Sequence, residues 1–426
     1  MIRILKYGEV DKQDLFIRND VLNNVAGTVS EILDNVRRNG DSALKMYNEK
    51  FDGVRTESLQ VTEEEMEEAL RTVEPEFIEV LERSAANIRA FHSRQVRNSF
   101  ILNEKDGVVI GQKIMPIERV GMYVPGGTAP LSSTVLMDAI PAVIAGVKEI
   151  IMVSSPRKDG RINPYVLAAA KVAGVGRIFK TGGAQAIAAL AFGTESIPKV
   201  DKIVGPGSAY VAEAKKQVYG RVSIDMIAGP SEILAIADGK TEPRYMAADM
   251  LSQAEHDYNA TAVLITDSEE LAVKVRDEIE SQVRKLERCE IASASIDNNG
   301  KIIVVDDLLK GIEIANEIAP EHLELCVDNP FDYLDKIRHA GSVFLGRNCP
   351  EALGDYYAGP NHTLPTSGTA RFFSPLSVDD FVKKMQYTYY SADALDAVAD
   401  DIALFARKEG LTGHARSVLI RSEDRR

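Results

Sequence analysis

The strongest constraint on this chain is a repeated alternation, from Val120 onward, of short apolar strands, glycine-bearing turns and helical segments. Val120 to Val124 runs into Pro125-Gly126-Gly127-Thr128-Ala129-Pro130, after which Leu131 to Val147 carries apolar residues at helical spacing. Glu149 to Ser154 precedes a helix over Pro164 to Gly174. Arg177 to Thr181 passes through Gly182-Gly183-Ala184-Gln185 into Ala186 to Phe192, and Lys202 to Gly205 leads through Pro206-Gly207-Ser208 to a helix over Ala209 to Tyr219. Strands that are each followed by a helix must pair in parallel through right-handed crossovers. After Gly229-Pro230-Ser231 the pattern resumes, with strands near Ile233 to Ala237, Ala260 to Thr266, Ile302 to Val305, Leu323 to Val327 and Ser342 to Leu345. The expected fold class is α/β with two Rossmann-like parallel sheets.

The flanks differ in texture. From about Asp20 to Val96 apolar residues recur every three or four positions, giving helices over Val21 to Gly40, Ser42 to Phe51, Glu64 to Val73 and Pro75 to Val96. Thr62 and Glu65 form a capping box for the third. Ile101 to Val120 alternates and breaks at Asp106-Gly107, as a hairpin does. The stretch 348–366 is a long polar loop, and long loops in compact domains are usually functional. Helices are expected near Asp379 to Met385 and over Ala392 to Lys408. The expected division is a discontinuous α/β domain over 20–120 and 231–376, a second α/β domain over 121–230, and a helical tail over 377–426.

Composition narrows the class of partner. A net charge of −14 and a pI near 5.1 oppose a nucleic-acid backbone as partner, which needs concentrated lysine and arginine. No apolar run reaches membrane-spanning length, and the first residues lack the apolar core and cleavage site of a secretory signal, so no membrane partner is expected and the cytoplasm is the expected compartment. The three cysteines, Cys289, Cys326 and Cys349, are widely spaced, unlike zinc-thiolate or redox pairs. Cys326 lies inside an apolar strand and reads as a buried structural cysteine rather than an aldehyde-attacking thiolate.

Chemistry gathers around the histidines. The segment Leu251-Ser252-Gln253-Ala254-Glu255-His256-Asp257 ends a helix that Thr241 can cap and that Pro243 enters in its first turn. Met246, Ala247, Met250, Leu251 and Ala254 form its core stripe, while Asp249, Gln253 and His256 line one margin of that stripe. Of the six histidines, His256, His322, His362 and His414 lie in short polar stretches flanked by glycine, proline or carboxylates; His92 and His339 read as surface or helix-end residues in predicted helices. Gln253, His256, Asp355 and His414 offer two imidazoles, a carboxylate and an amide oxygen, a set suited to zinc. By spacing alone, a polar helix rim bonded to neighbouring backbone is the better account of the first two. Glu321 and His322 stand just before a strand, where neighbours point to opposite sides, so the pair could serve two proton-transfer steps or sit in an exposed turn. The three glycine turns fall where helix N-termini favour a pyrophosphate, though none carries the full dinucleotide fingerprint.

From roughly Val120 to Ser417 the chain resembles the histidinol dehydrogenase family. The likeness runs through Tyr-Val-Pro-Gly-Gly-Thr-Ala-Pro-Leu, Gly-Gly-Ala-Gln-Ala-Ile-Ala, Ala-Gly-Pro-Ser-Glu, Leu-Ser-Gln-Ala-Glu-His-Asp, Ala-Pro-Glu-His-Leu-Glu, Gly-Pro-Asn-His-Thr-Leu-Pro-Thr and Gly-Leu-Thr-Gly-His, in that order. The resemblance implies oxidation of L-histidinol through the aldehyde to L-histidine, the last step of histidine biosynthesis, with NAD as oxidant in both hydride transfers and one zinc ion per subunit. It implies Gln253, His256, Asp355 and His414 as zinc ligands, and Glu321 and His322 as acid-base residues. Ser231, Gln253, His256, His322, Asp355, His362, Glu409 and His414 surround the substrate. Tyr123, Gln185 and Ser208 match NAD contacts, which places 121–230 on the NAD side; Ser208 departs from the asparagine usual after Gly-Pro-Gly. A homodimer in which the tail completes the partner's site is also implied. The rival readings are a related zinc and NAD dehydrogenase for another small alcohol, a zinc hydrolase, and a non-catalytic metal-binding module.

Overall fold

A computed structural model describes residues 1–10, 25–126 and 130–423. The helix start expected at Val21 and the Gly127-Thr128-Ala129 part of the first glycine turn lie outside the described residues. In chain order the strands are β1 (Arg3–Lys6), β2 (Phe100–Leu102), β3 (Val108–Pro116), β4 (Arg119–Tyr123), β5 (Glu149–Ser154), β6 (Arg177–Lys180), β7 (Lys202–Val204), β8 (Ser223–Ile224), β9 (Glu232–Ala237), β10 (Thr261–Thr266), β11 (Lys301–Val304), β12 (His322–Cys326), β13 (Ser342–Leu345) and β14 (Val382–Tyr390). The chain divides into two compact units, one of Met1–Gln95 with Glu118–Phe381 and one of Val96–Ile117 with Val382–Arg426.

Both expected parallel sheets form, and both belong to the first unit. One has the order β6-β5-β4-β7-β8, so the chain lays two strands to one side of β4 before crossing to the other. That reversal opens a crevice at the carboxyl ends of β4 and β7, the usual ligand position in such sheets. The other has the order β1-β11-β10-β9-β12-β13. Its edge strand β1, unassigned from sequence, pairs Arg3 to Lys6 with Lys301 to Val304.

These strands are apolar along their length because helices cover the sheets. On the first sheet, Val29, Ile32 and Val36 of the helix Ala26–Tyr47 and Ile187 and Leu190 of the helix Gly183–Phe192 pack with Ile151, Val153 and Phe179. On the second, Met246, Ala247, Met250, Leu251 and Ala254 pack with Ile233, Ala235 and Leu264, so the core stripe read from sequence is the buried face of the helix Pro243–Ala254. Thr62 and Glu65 do form a reciprocal capping box. Thr241 does not cap the helix that follows it. Glu242 takes that position without a side-chain bond, and Thr241 Oγ1 instead donates to the carbonyl of Cys326 at 2.5 Å, a stronger demand because that carbonyl ends a buried strand.

A buried ion pair fixes the turn after β7. Lys215 and Asp225, with side chains 2% and 1% exposed, pair directly; Lys215 Nζ also donates to the carbonyl of Gly205 at 3.0 Å, and Asp225 Oδ2 accepts from the N–H of Gly205 at 2.8 Å. Gly205 needs its lack of a side chain, since at φ +111° a Cβ would lie 2.1 Å from the carbonyl oxygen of Tyr123. Removing one member of a buried pair strands the other, so Asp225→Ala is expected to cost about 3–5 kcal/mol. Urea denaturation measures this, and a loss below about 1 kcal/mol, the worth of an exposed pair, would contradict it.

In the second unit, β2 and β3 form the hairpin expected around Asp106-Gly107. The helix expected near Asp379 to Met385 is absent: a short turn over Val378–Phe381 leads into β14, which pairs antiparallel with β3 from Val382↔Pro116 to Tyr390↔Val108. Val382, Tyr387, Thr388, Tyr389 and Tyr390 are branched or aromatic residues that suit a ladder, and Tyr387 faces Gly111, whose missing side chain leaves room for the ring. The helix expected over Ala392 to Lys408 is two, Ala392–Asp396 and Ala399–Lys408, followed by Thr412–Glu423.

Candidate active site

Within the first unit, an open cavity of about 740 Å³ lies between the carboxyl edge of the first sheet and the amino edge of the second. Gly205, Pro206, Asp225 and Met226 line one side; Ser231, Gln253, His256, Glu321, His322, Asp355 and His362 line the other. Seven residues singled out from sequence thus meet in one place. Glu409 and His414 belong to the second unit, where both are exposed, Glu409 after the helix Ala399–Lys408 and His414 in the first turn of Thr412–Glu423.

Each wall of the cavity has its own scaffold. Gln253 lies in the last turn of the helix Pro243–Ala254, 1% exposed, and His256 follows two residues past the helix end with its N–H bonded to the carbonyl of Gln253 at 3.2 Å. Asp249, on the same margin, turns instead to the buried Glu324, and burial raises its pKa to about 6. Glu321 and His322 both grip the first residue of β9: Glu321 Oε2 accepts from the N–H of Glu232 at 2.8 Å, and His322 Nδ1 lies 2.9 Å from the carbonyl of Glu232. This corrects the expectation that they face opposite sides. Glu321 precedes β12 and follows Ala319, held at φ +51°, so strand alternation does not reach it. The two side chains approach to 3.7 Å and both line the cavity.

The polar loop supplies the third wall, and it is partly helical: Glu351–Leu353 forms one turn that widens over Gly354–Ala358. Ser84 and Asn87 of the helix Pro75–His92 donate to the carbonyls of Tyr356 and Tyr357 at 2.6 and 2.8 Å, and so pin the loop. Further on, Asn361 Nδ2 donates to the carbonyl of Met137 at 2.6 Å and Thr363 Oγ1 to Asp138 at 2.8 Å, bracketing His362, whose Nε2 lies 3.3 Å from Thr134 Oγ1.

The electrostatics separate the ionisable groups by role. Burial raises Glu321 to about 8. Burial alone would lower His322, but the facing carboxylates of Glu351, Glu321 and Asp355 outweigh it and raise its pKa well above the ordinary value. Loss of hydration lowers His256 and His362, partly offset in each by Asp355. Burial would raise Asp355, yet the adjacent imidazoles of His322 and His362 hold it below the usual carboxylate range. His322 Nε2 is buried without a hydrogen-bond partner, with Glu351 and Asp355 each 3.7 Å away. One donor atom each from His322, Glu351 and Asp355 lie within 4.8 Å of one another, a spacing that could also hold a cation.

At the carboxyl edge of the first sheet, Tyr123 ends β4 and its hydroxyl accepts from the N–H of Gly183 at 3.2 Å; Gln185 lies buried in the first turn of the same helix, and Ser208 stands before the helix Ala209–Val218 without a side-chain capping bond. Gly183, at φ +64°, is the conformational reason for the glycine turn there.

His339 departs from the sequence reading, and Glu351 is missing from it. His92 ends its helix as expected but is fully buried against Gln95, and His339 lies in the loop between Phe331–Leu334 and β13 rather than in a helix. Glu351 was not singled out at all, because a carboxylate in a polar loop carries no motif or spacing. Cys326 is buried at the end of β12, with its thiol pKa pushed up by desolvation, as a structural cysteine should be.

Comparison with known proteins identifies the family. Residues 17–422 match the family model described as histidinol dehydrogenase. A histidinol dehydrogenase from Clostridium acetobutylicum is 54% identical over 426 residues, with 99% of each chain covered. One from Bacillus cereus is 55% identical over 406 residues, covering 95% of this chain and 94% of the relative. The crystal structure of histidinol dehydrogenase from Elizabethkingia anophelis superposes with a TM-score of 0.93 at 39% identity, over 99% of this chain and 98% of the other. The chain therefore belongs to the histidinol dehydrogenase family and is an oxidoreductase.

Proposed function

We propose that this chain oxidises L-histidinol through L-histidinaldehyde to L-histidine, with NAD as hydride acceptor and one zinc ion per subunit. The observation that carries the reading is the convergence of Ser231, Gln253, His256, Glu321, His322, Asp355 and His362 on one cavity, opposite the strand ends of a sheet with dinucleotide-binding order. Family membership sets aside the hydrolase and the non-catalytic metal module. Retention of His362 and Glu409 favours histidinol over another small alcohol.

The donor chemistry fits zinc. Gln253, His256 and Asp355 line the same cavity, His256 is biased to the neutral form that binds metal, and Asp355 is biased to its anion. When bound, the zinc ion supplies a Lewis-acidic anchor for the amine and imidazole of histidinol, and NAD supplies the acceptor for each hydride. The residues of the chain handle protons and position. His322, fixed through Nδ1 on Glu232, presents Nε2 to the alcohol; the facing carboxylates favour its imidazolium, so it takes the hydroxyl proton in its deprotonated form. Glu321, fixed by the Glu232 N–H, takes a proton from water as it adds to the aldehyde carbonyl. His362 and Ser231 border the substrate. Tyr123, Gln185 and Ser208 would hold the nicotinamide dinucleotide, with 121–230 as its domain.

The reading includes a homodimer in which Glu409 and His414 of one chain complete the substrate pocket and zinc set of the other. His256→Ala and His414→Ala, each inactive alone, should then complement when mixed and reassembled. One site of each heterodimer receives both intact segments and the other carries both lesions, so activity recovers to at most about half. Reassembled heterodimers with no recovered activity would mean that each chain builds its site alone.

A further inference from the structure

We infer that Glu351 is a positioning residue that orients the carboxamide of Gln253, so that its oxygen and not its nitrogen is offered to the metal. The inference rests on the proposed zinc set, of which Gln253 is a member. A glutamine is an uncommon ligand because its amide has two similar ends, and only the oxygen carries a lone pair suited to a cation. Something must choose the end.

The surroundings of Gln253 make that choice at both ends. With the amide placed so that each contact joins a donor to an acceptor, Nε2 lies 2.7 and 3.1 Å from the two oxygens of Glu351, and the amide oxygen lies 3.1 Å from the N–H of Glu232. The reverse placement sets the amide oxygen against a carboxylate and the NH2 group against another N–H. Glu232 N–H already donates to Glu321 at 2.8 Å, so it is shared, and the amide oxygen keeps a second lone pair for an ion.

Glu351 is itself held for this task. It is 3% exposed, its own N–H donates to Glu324 Oε1 at 2.7 Å, and Ser252 Oγ lies 3.4 Å from its Oε2. Glu324, fully buried, interacts in turn with the carboxyl of Asp249, one turn before Gln253 on the same helix. This gives Asp249, the remaining member of the polar helix margin, its place. Asp249, Glu324 and Glu351 tie the ligand-bearing helix to the segment that carries Asp355, so two ligands from distant parts of the chain are set against each other. Partners of this kind, behind the ligands, typically change metal affinity by about 10–100-fold.

The test is zinc affinity, measured by competition with a chromophoric chelator, for the wild type, Glu351→Met, Glu351→Gln and His256→Ala. Glu351→Met should bind zinc about 10–100-fold more weakly with an unchanged far-ultraviolet circular dichroism spectrum. Glu351→Gln keeps one acceptor oxygen and the shape of the side chain, so it should recover part of that loss, and it carries the test alone should Glu351→Met fail to fold. At saturating cobalt the visible absorption of the variants should match the wild type, since the ligand set is unchanged. Zinc affinity of both variants within about twofold of wild type would overturn the role, given the larger effect such partners have. A cobalt spectrum reporting altered coordination would also overturn it, by making Glu351 a ligand alongside His322 and Asp355. Zinc held as tightly by His256→Ala as by wild type would overturn the metal reading itself, and this role with it.

Discussion

His256→Ala is expected to abolish oxidation of histidinol and to remove tightly bound zinc while leaving the fold intact. The side chain follows the helix Pro243–Ala254 and is exposed at the cavity rather than part of the apolar stripe, so its loss should change the stability of the metal-free protein by no more than about 0.5 kcal/mol. The catalytic loss is far larger. Without the anchor the reacting carbon is no longer held against the hydride acceptor, and misplacement by about an ångström already costs about 10²-fold. Metal content by isotope binding, thermal denaturation and turnover should be measured on one preparation. Full metal content together with full activity in His256→Ala would contradict the assignment.

Glu321→Gln is expected to slow oxidation of histidinaldehyde by about 10²–10⁴, the usual worth of one positioned acid-base group, with a smaller effect on the first hydride transfer. The substitution keeps the shape and an acceptor for the Glu232 N–H while removing the base. The pH dependence has a definite sign. Burial raises Glu321 to about 8, and a carboxylic acid must lose its proton to serve as base, so the aldehyde step should rise with pH through that region in the wild type. Glu321→Gln should lack the rise. His322→Asn should instead impair the alcohol step and leave oxidation of supplied histidinaldehyde less affected. Single-turnover rates with each substrate decide this. The 3.7 Å approach of the two side chains sharpens the question, because equal losses in both half-reactions for both variants would show them acting as one unit.

What the sequence revealed and what it hid follow from the range of the interactions involved. The strands of both sheets are buried on two faces and read as continuous apolar runs, so β9, β10, β12 and β13 emerge within a residue or so of their observed limits. The stripe from Met246 to Ala254 is legible for the same reason: burial of one helix face imposes a 3.6-residue period. β14 was hidden because Asp379 to Met385 mixes acids, two lysines and apolar residues at helical spacing, and its pairing partner β3 lies more than 250 residues earlier. Thr241 satisfied a local capping pattern, but a carbonyl from a neighbouring strand claimed its hydroxyl. The candidate site was legible where long motifs carried it, at Gln253, His256, Glu321, His322 and His362. Glu351 was not, because its significance lies in what it touches: Gln253, Ser252 and His322, all far away in sequence.

The most direct test of the whole account is the stoichiometry of NADH formed per histidinol consumed, measured to completion with untreated and chelator-treated enzyme. A four-electron oxidation to histidine requires two hydride transfers, so the account predicts about two NADH per histidinol and none after zinc removal. A ratio near one with histidinaldehyde as the end product, or undiminished NADH formation in the chelator-treated enzyme, would contradict it.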